Sequence, residues 1–210
     1  ARGVDGVDAP FESIEEMASA YLEELRQLSP RGPYYLCGYC GGGIVAFEMA
    51  RMLQAANEHV AFLGLIDTYR PDSVRLPRLA WLSRVSASIE GLSYLARQTR
   101  RGLKRNKDEL SQRAAVRWHG ATSERMPHEL REAWLTEAFF KAARHYRPGP
   151  FAGDMVAFRA LDANPILTST PALGWADYAR RVDVIDVPGN HLTLALEPNA
   201  AVLGQQLLSQ

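Results

Sequence analysis

The sequence predicts an α/β fold with a mostly parallel sheet and helices on both faces. Three observations carry this reading. Strand and helix patterns alternate along the chain, two strands are uniformly apolar runs, and a basic helical segment is inserted between strands. A strand that is apolar at every position suits a parallel sheet covered on both sides.

The elements follow in order. Residues 1–10 read as loop. Ser13 to Leu28 is an amphipathic helix, with Ser13 as N-cap and Glu16 completing a capping box. Ile14, Met17, Ala18, Tyr21, Leu22 and Leu25 recur at helical spacing. Ser29-Pro30-Arg31-Gly32-Pro33 ends it. Tyr34 to Gly38 is a short buried strand, and Ile44 to Leu53 a helix with one apolar face. Val60 to Ile66 is the second apolar strand and stops at Asp67. Glu129 to Tyr146 is a helix, Asp154 to Leu161 and Val182 to Val187 are strands, and Asn199 to Leu208 is a closing helix.

Composition bounds the function. The chain has 210 residues, 47% hydrophobic and 23% charged, within the ordinary globular range. That is enough for one domain with a core, over residues 1–210, plus an insertion. Twenty-four cations balance 24 anions, so nucleic acid is not expected as the main partner. The balance is uneven. Arg75 to Arg125 carries 12 Lys+Arg against 4 Asp+Glu, a net of +8, and the remainder carries −8. That segment reads as a solvated helical face or as a dock for an acidic partner. Two cysteines cannot make a disulfide-dense secreted scaffold. The longest uncharged stretch, Gly32 to Phe47, is broken by Pro33 and a glycine run, so no membrane span is expected. No signal peptide is read at the start. A reducing cytoplasm fits.

The sharpest feature is Gly38-Tyr39-Cys40-Gly41-Gly42, between a strand and a helix. This is a nucleophile-elbow pattern with Cys40 in the nucleophile's place. So tight a turn strains the nucleophile's backbone. It also asks for small residues two before and two after, which Gly38 and Gly42 supply. The helix that follows aims unpaired N–H groups at the site. The Gly41 N–H can bind a developing oxyanion, and the same helix end favours a thiolate at Cys40. Cys37-x-x-Cys40 also permits a redox pair or half a zinc site. Zinc needs a second ligand pair, which is not near in sequence. A redox pair opens a helix, whereas Cys37 sits in a strand and is expected to be buried.

An elbow calls for an acid and then a histidine downstream. His59 reads as exposed loop, His119 and His128 fall in the inserted segment, and His145 lies on a helix. His191 follows a late strand, in Pro188-Gly189-Asn190-His191-Leu192, where a loop can present a mobile imidazole. Asp67 and Asp162 both follow strands and would lie at the carboxyl edge of the sheet. Pattern alone leaves the acid open between them.

Together these segments resemble the thioesterase domains that end nonribosomal peptide and polyketide synthases, within the α/β-hydrolase fold. The matching stretches are Ser13-Ile14-Glu15-Glu16-Met17-Ala18 with Tyr21, Gly32 through Gly42, Phe47-Glu48-Met49-Ala50, Leu65-Ile66-Asp67-Thr68, and Gly189-Asn190-His191-Leu192 before Glu197-Pro198. The resemblance implies Asp67 rather than Asp162 as the acid of a Cys40–His191–Asp67 triad. It implies a helical lid over about residues 71–147. It also implies a substrate delivered on the phosphopantetheine of an acyl or peptidyl carrier protein, upstream in the same polypeptide, with no bound cofactor or metal. Two departures are expected to matter. The family's usual nucleophile is Ser, and here it is Cys. The family's N-terminal strands and Gly-rich oxyanion loop are expected to be missing from this chain, which leaves the oxyanion hole half specified. The implied activity is release of a carrier-bound chain through an acyl-Cys40 thioester, by cyclisation to a lactone or lactam or by hydrolysis. A discrete editing thioesterase or esterase, and a non-catalytic binding module of the same fold, are the competing readings.

Overall fold

In the computed structural model, residues 2–71, 73, 114–116, 118–119, 125–162 and 171–210 are described. They belong to two compact units, Ala1–Phe11 with Arg75–Phe140, and Glu12–Val74 with Lys141–Gln210. The expected lid, 71–147, lies partly outside the described residues, so most of the basic segment does too.

The larger unit carries the sheet. Helix α1 (Ile14–Leu28) starts at Ser13, whose hydroxyl accepts from the Glu16 N–H at 3.1 Å. The Glu16 carboxylate reaches one residue further than a capping box requires and accepts from the Glu12 N–H at 3.0 Å. Strand β1 (Tyr34–Tyr39), helix α2 (Gly41–Ala55) and strand β2 (Val60–Ile66) follow. Helix α3 (His128–His145) belongs to the smaller unit up to Phe140 and to the larger beyond it. Strand β3 (Phe151–Ala160), a 3₁₀ turn (Pro171–Gly174), strand β4 (Ala179–Val187) and helix α4 (Asn199–Leu208) complete the chain.

Among the described residues four strands, parallel throughout, lie in the order β1-β2-β3-β4. Tyr39 pairs with Ile66, Ile66 with Phe158 and Ala160 with Val187. The strands thus end along one edge, where an α/β sheet places its site. On one face Ile66, Val156, Phe158, Val187, Leu194 and Leu203 of α4 form a core. Elsewhere the Phe47 ring of α2 packs on Trp175 at 4.5 Å and edge-on to Phe151 at 6.3 Å.

β3 and β4 each begin three residues earlier than the sequence suggests, and two strands differ from expectation in burial. β1 is not buried throughout but alternates, with Tyr34, Leu36 and Gly38 inside and Tyr35, Cys37 and Tyr39 outside. The buried side is the one that Gly38 turns to the first turn of α2, and the alternation leaves the other side of β1 uncovered among the described residues. Cys37, expected to be buried, is exposed for the same reason. In β2 only Leu63–Ile66 are buried, the half nearest the site. Helix α2 begins three residues earlier than its apolar pattern suggests, because Gly41, Gly42 and Gly43 form its first turn.

Candidate active site

Cys40 is the hinge between β1 and α2. Its backbone stands at φ 53°, ψ −124°, outside the regions that L residues populate freely, a strain that persists only where the surroundings enforce it. Three contacts enforce it. The Cys40 N–H donates to the Ile66 carbonyl at 3.0 Å. Its carbonyl accepts from the Gly43 N–H at 3.2 Å and from the Thr68 hydroxyl at 2.9 Å. Thr68 is itself buried, and its carbonyl accepts from the indole N–H of Trp175 at 2.9 Å. The Cys40 side chain caps no amide and is exposed. The N–H groups of Gly41 and Gly42, at the very start of the helix, have no intrahelical acceptor.

The glycines around this turn do not share one role. A Cβ on Gly38 would overlap the carbonyl of Gly42, and one on Gly43 would overlap the Thr68 side chain. A Cβ on Gly42 would meet nothing within 4 Å. The steric need assigned to Gly42 therefore falls on Gly43, because Gly42 takes part in the close approach through its backbone.

Asp67 caps the end of β2. It is 2% exposed and has φ 43°, a left-handed conformation that Asp tolerates better than most residues. Its N–H donates to the Phe158 carbonyl at 2.7 Å, and its Oδ1 accepts from the Ala160 N–H at 3.2 Å. Both bonds tie it to β3. Its Oδ2 accepts from His191 Nδ1 at 2.6 Å. Asp162 is exposed and its N–H donates to the Gly189 carbonyl, so it braces the histidine loop through its backbone.

That loop is built by Asn190. Its side chain accepts from the Leu192 N–H at 3.0 Å, its carbonyl accepts from the Thr193 and Leu194 N–H groups, and Asn199 Nδ2 donates to the Thr193 carbonyl at 3.2 Å. Gly189, at φ 92°, has no room for a side chain between Asn199 and Thr193. The result is an imidazole 42% exposed at the sheet edge, with Nδ1 engaged by a buried carboxylate. His59 is exposed ahead of β2, and His145 Nδ1 lies 2.8 Å from the Lys141 carbonyl. His119 and His128 belong to the smaller unit.

One contact was not read from the sequence. The Tyr39 ring stacks on His191 with centroids 5.1 Å apart and planes 23° apart, and its hydroxyl donates to the His191 carbonyl. Partial burial, then the charges of Cys40 and Asp67, push the Tyr39 phenol up. The available signal was its place beside Cys40, on the outward side of an alternating strand.

The Cys37–Cys40 redox pair fails on geometry. Three residues of extended chain span about 10 Å, beyond the ~7 Å a disulfide tolerates. Although Cys37 is exposed as a residue, the protein packed around its sulfur, beside Gly64, desolvates the thiol and pushes it up, against a reactive thiolate there. Among the described residues no cluster of three or more His, Cys, Asp or Glu could hold a metal ion. No helix among them is long and apolar enough to cross a membrane.

A strand–Cys–helix elbow and a buried Asp–His pair at the carboxyl edge of a parallel sheet define a hydrolase-type arrangement. The family follows from comparison: the thioesterase domain model matches residues 2–203, and the chain belongs to that family. It is 29% identical over 211 residues to an atromentin synthetase of Tapinella panuoides and 30% over 210 to the nonribosomal peptide synthetase apvA of Aspergillus terreus. Each alignment covers 92% of this chain but 22% and 23% of those proteins, so the chain spans less than a quarter of their length. The fold matches the NocB thioesterase domain of the nocardicin cluster, with TM-score 0.62 and 24% identity over 99% of this chain and 79% of that one. It also matches a four-domain nonribosomal peptide synthetase, with TM-score 0.65 and 23% identity over 96% of this chain and 16% of that one.

Proposed function

We propose that this chain releases an acyl or peptidyl group held as a thioester on a carrier protein, through an acyl-Cys40 intermediate. The observation that carries it is the buried Asp67 bonded to His191 at the same sheet edge as the strained Cys40. The likeness to an atromentin synthetase and a nonribosomal peptide synthetase supports a carrier-bound substrate.

The chemistry follows from the groups present. Asp67 holds the Nδ1–H of His191, so Nε2 is the nitrogen left to accept a proton. The Cys40 proton passes to Nε2 and the sulfur attacks the thioester carbonyl. The Gly41 N–H donates to the oxyanion as the carbonyl becomes tetrahedral. Collapse breaks the bond to the pantetheine sulfur, which takes the proton from His191. His191 then deprotonates water or a hydroxyl or amine of the bound chain, which attacks the acyl-Cys40 and expels the thiol. Since Cys40 holds the chain as another thioester, the first transfer is nearly isoenergetic and the intermediate stays activated for ring closure.

The test is intact mass spectrometry with an acyl-thioester mimic. The expected result is a single acyl adduct on Cys40, absent in Cys40→Ala, with loss of turnover in that variant. A product heavier than the ring by one water marks hydrolysis. Turnover that survives in Cys40→Ala overturns the assignment. A Cys40 that resists low iodoacetamide near neutral pH favours a non-catalytic module.

A further inference from the structure

We propose that Tyr39 is a positioning residue for His191, fixing both the ring and the backbone of the histidine loop to the nucleophile's own turn. The inference rests on the Cys40–His191 reading and extends it to a residue outside the triad.

Three observations place Tyr39 in this role. Its ring lies over the imidazole at 5.1 Å and 23°, a near-parallel stack. Its hydroxyl donates to the His191 carbonyl, so a second, independent contact holds the main chain of the same residue. It also precedes Cys40 directly, and β1 is locked to β2 through Tyr39↔Ile66. The loop at the far end of β4 is thereby registered against the elbow without passing through the sheet.

The geometry suits a base that changes charge. Asp67 engages Nδ1 along the ring edge, while Tyr39 covers a ring face, so neither contact occupies Nε2. When Nε2 takes the Cys40 proton, the imidazolium faces an aromatic ring within the ~6 Å range of cation–π attraction. The stack thus favours the charged form that proton transfer from Cys40 creates, and interactions stronger in the transition state raise kcat. An imidazole 42% exposed on a loop otherwise has one side-chain tether, Asp67, and rotation about that single bond would misplace Nε2. The phenol stays a neutral donor, because burial and its anionic neighbours oppose its ionisation.

The experiment compares wild type, Tyr39→Phe, Tyr39→Leu and, as a control on the same exposed side of β1, Tyr35→Leu. Acylation and turnover of the thioester mimic are followed together with the His191 Nδ1–H proton resonance. Tyr39→Phe keeps the stack and loses the hydroxyl, and kcat should fall about fivefold with KM unchanged. Tyr39→Leu loses both, and kcat should fall roughly 10- to 100-fold with an unchanged melting temperature. The Nδ1–H resonance should broaden in the same order. Tyr35→Leu should stay within about twofold of wild type. Wild-type acylation with Tyr39→Leu turning over at the wild-type rate and keeping a sharp resonance overturns the inference and leaves the Cys40 reading standing. No acylation in the wild type overturns that reading and, with it, the catalytic worth of Tyr39. If Tyr39→Leu fails to fold, Tyr39→Phe decides alone.

Discussion

His191 Nδ1 stands 2.6 Å from Oδ2 of Asp67, a carboxylate almost wholly removed from water. A bond to a buried anion fixes the imidazole tautomer, since the carboxylate can only accept. Asp67→Asn keeps an acceptor for the Ala160 N–H but can present an amide N–H to His191. Turnover should fall by roughly 10²- to 10⁴-fold, as for a triad given the wrong tautomer. Asp162→Asn, on an exposed side chain, should leave turnover within about twofold. Steady-state rates with one thioester substrate separate the two acids.

The elbow glycines should diverge equally clearly. Gly38→Ala drives a methyl into the Gly42 carbonyl, a clash of backbone against backbone that no rotamer relieves. It should cost more than about 2 kcal/mol or prevent folding. Gly42→Ala meets open space inside a helix and should raise stability by about 0.5–1 kcal/mol. Urea unfolding midpoints decide between them.

Those contrasts show what the residue pattern carries and what it does not. α1, β2 and α4 were legible because amphipathic spacing, a capping serine and an apolar run each point to one local structure. The strand–Cys40–helix turn was legible because a tight turn needs glycine at Gly38 whatever surrounds it. Asp67 and Asp162 could not be separated by pattern, since each follows a strand. Their difference is a long-range one: Asp67 turns inward onto the β3 backbone, and Asp162 outward. The exposure of Cys37 was not legible, because apolar composition does not reveal which face of β1 is covered. The stack of Tyr39 on His191 joins residues 152 apart in sequence, and no local rule brings them together.

Tyr146 should give the fold a pH-dependent increment on the alkaline side. Its phenol is buried and donates to Glu48 Oε2 at 2.6 Å. Burial, then the Glu48 bond and charge, push its ionisation far above the ordinary value near 10. A raised pKa in the folded state means the stabilisation is fully present below the unfolded value and declines as pH rises past it. Wild type should exceed Tyr146→Phe by about 1–3 kcal/mol at neutral pH. The gap should close above about pH 10, by up to ~1.4 kcal/mol per pH unit. Denaturant titrations of both proteins from pH 8 to 11 test the slope, and a constant gap would refute it.

Thr68 should couple the stability of the turn to its activity. Its hydroxyl reaches the Cys40 carbonyl at 2.9 Å from a buried position, and its own carbonyl is held by Trp175. Thr68→Val keeps the shape but faces that carbonyl with a methyl and removes its side-chain donor. The expected cost is about 1–3 kcal/mol in unfolding free energy. Because the same bond enforces the strained φ of Cys40, turnover should fall as well, and further than Thr68→Ser, which restores the donor. Comparing kcat at a temperature where all three proteins are fully folded separates the effects. Equal rates for Val and Ser would show that Thr68 supports the fold without shaping the nucleophile.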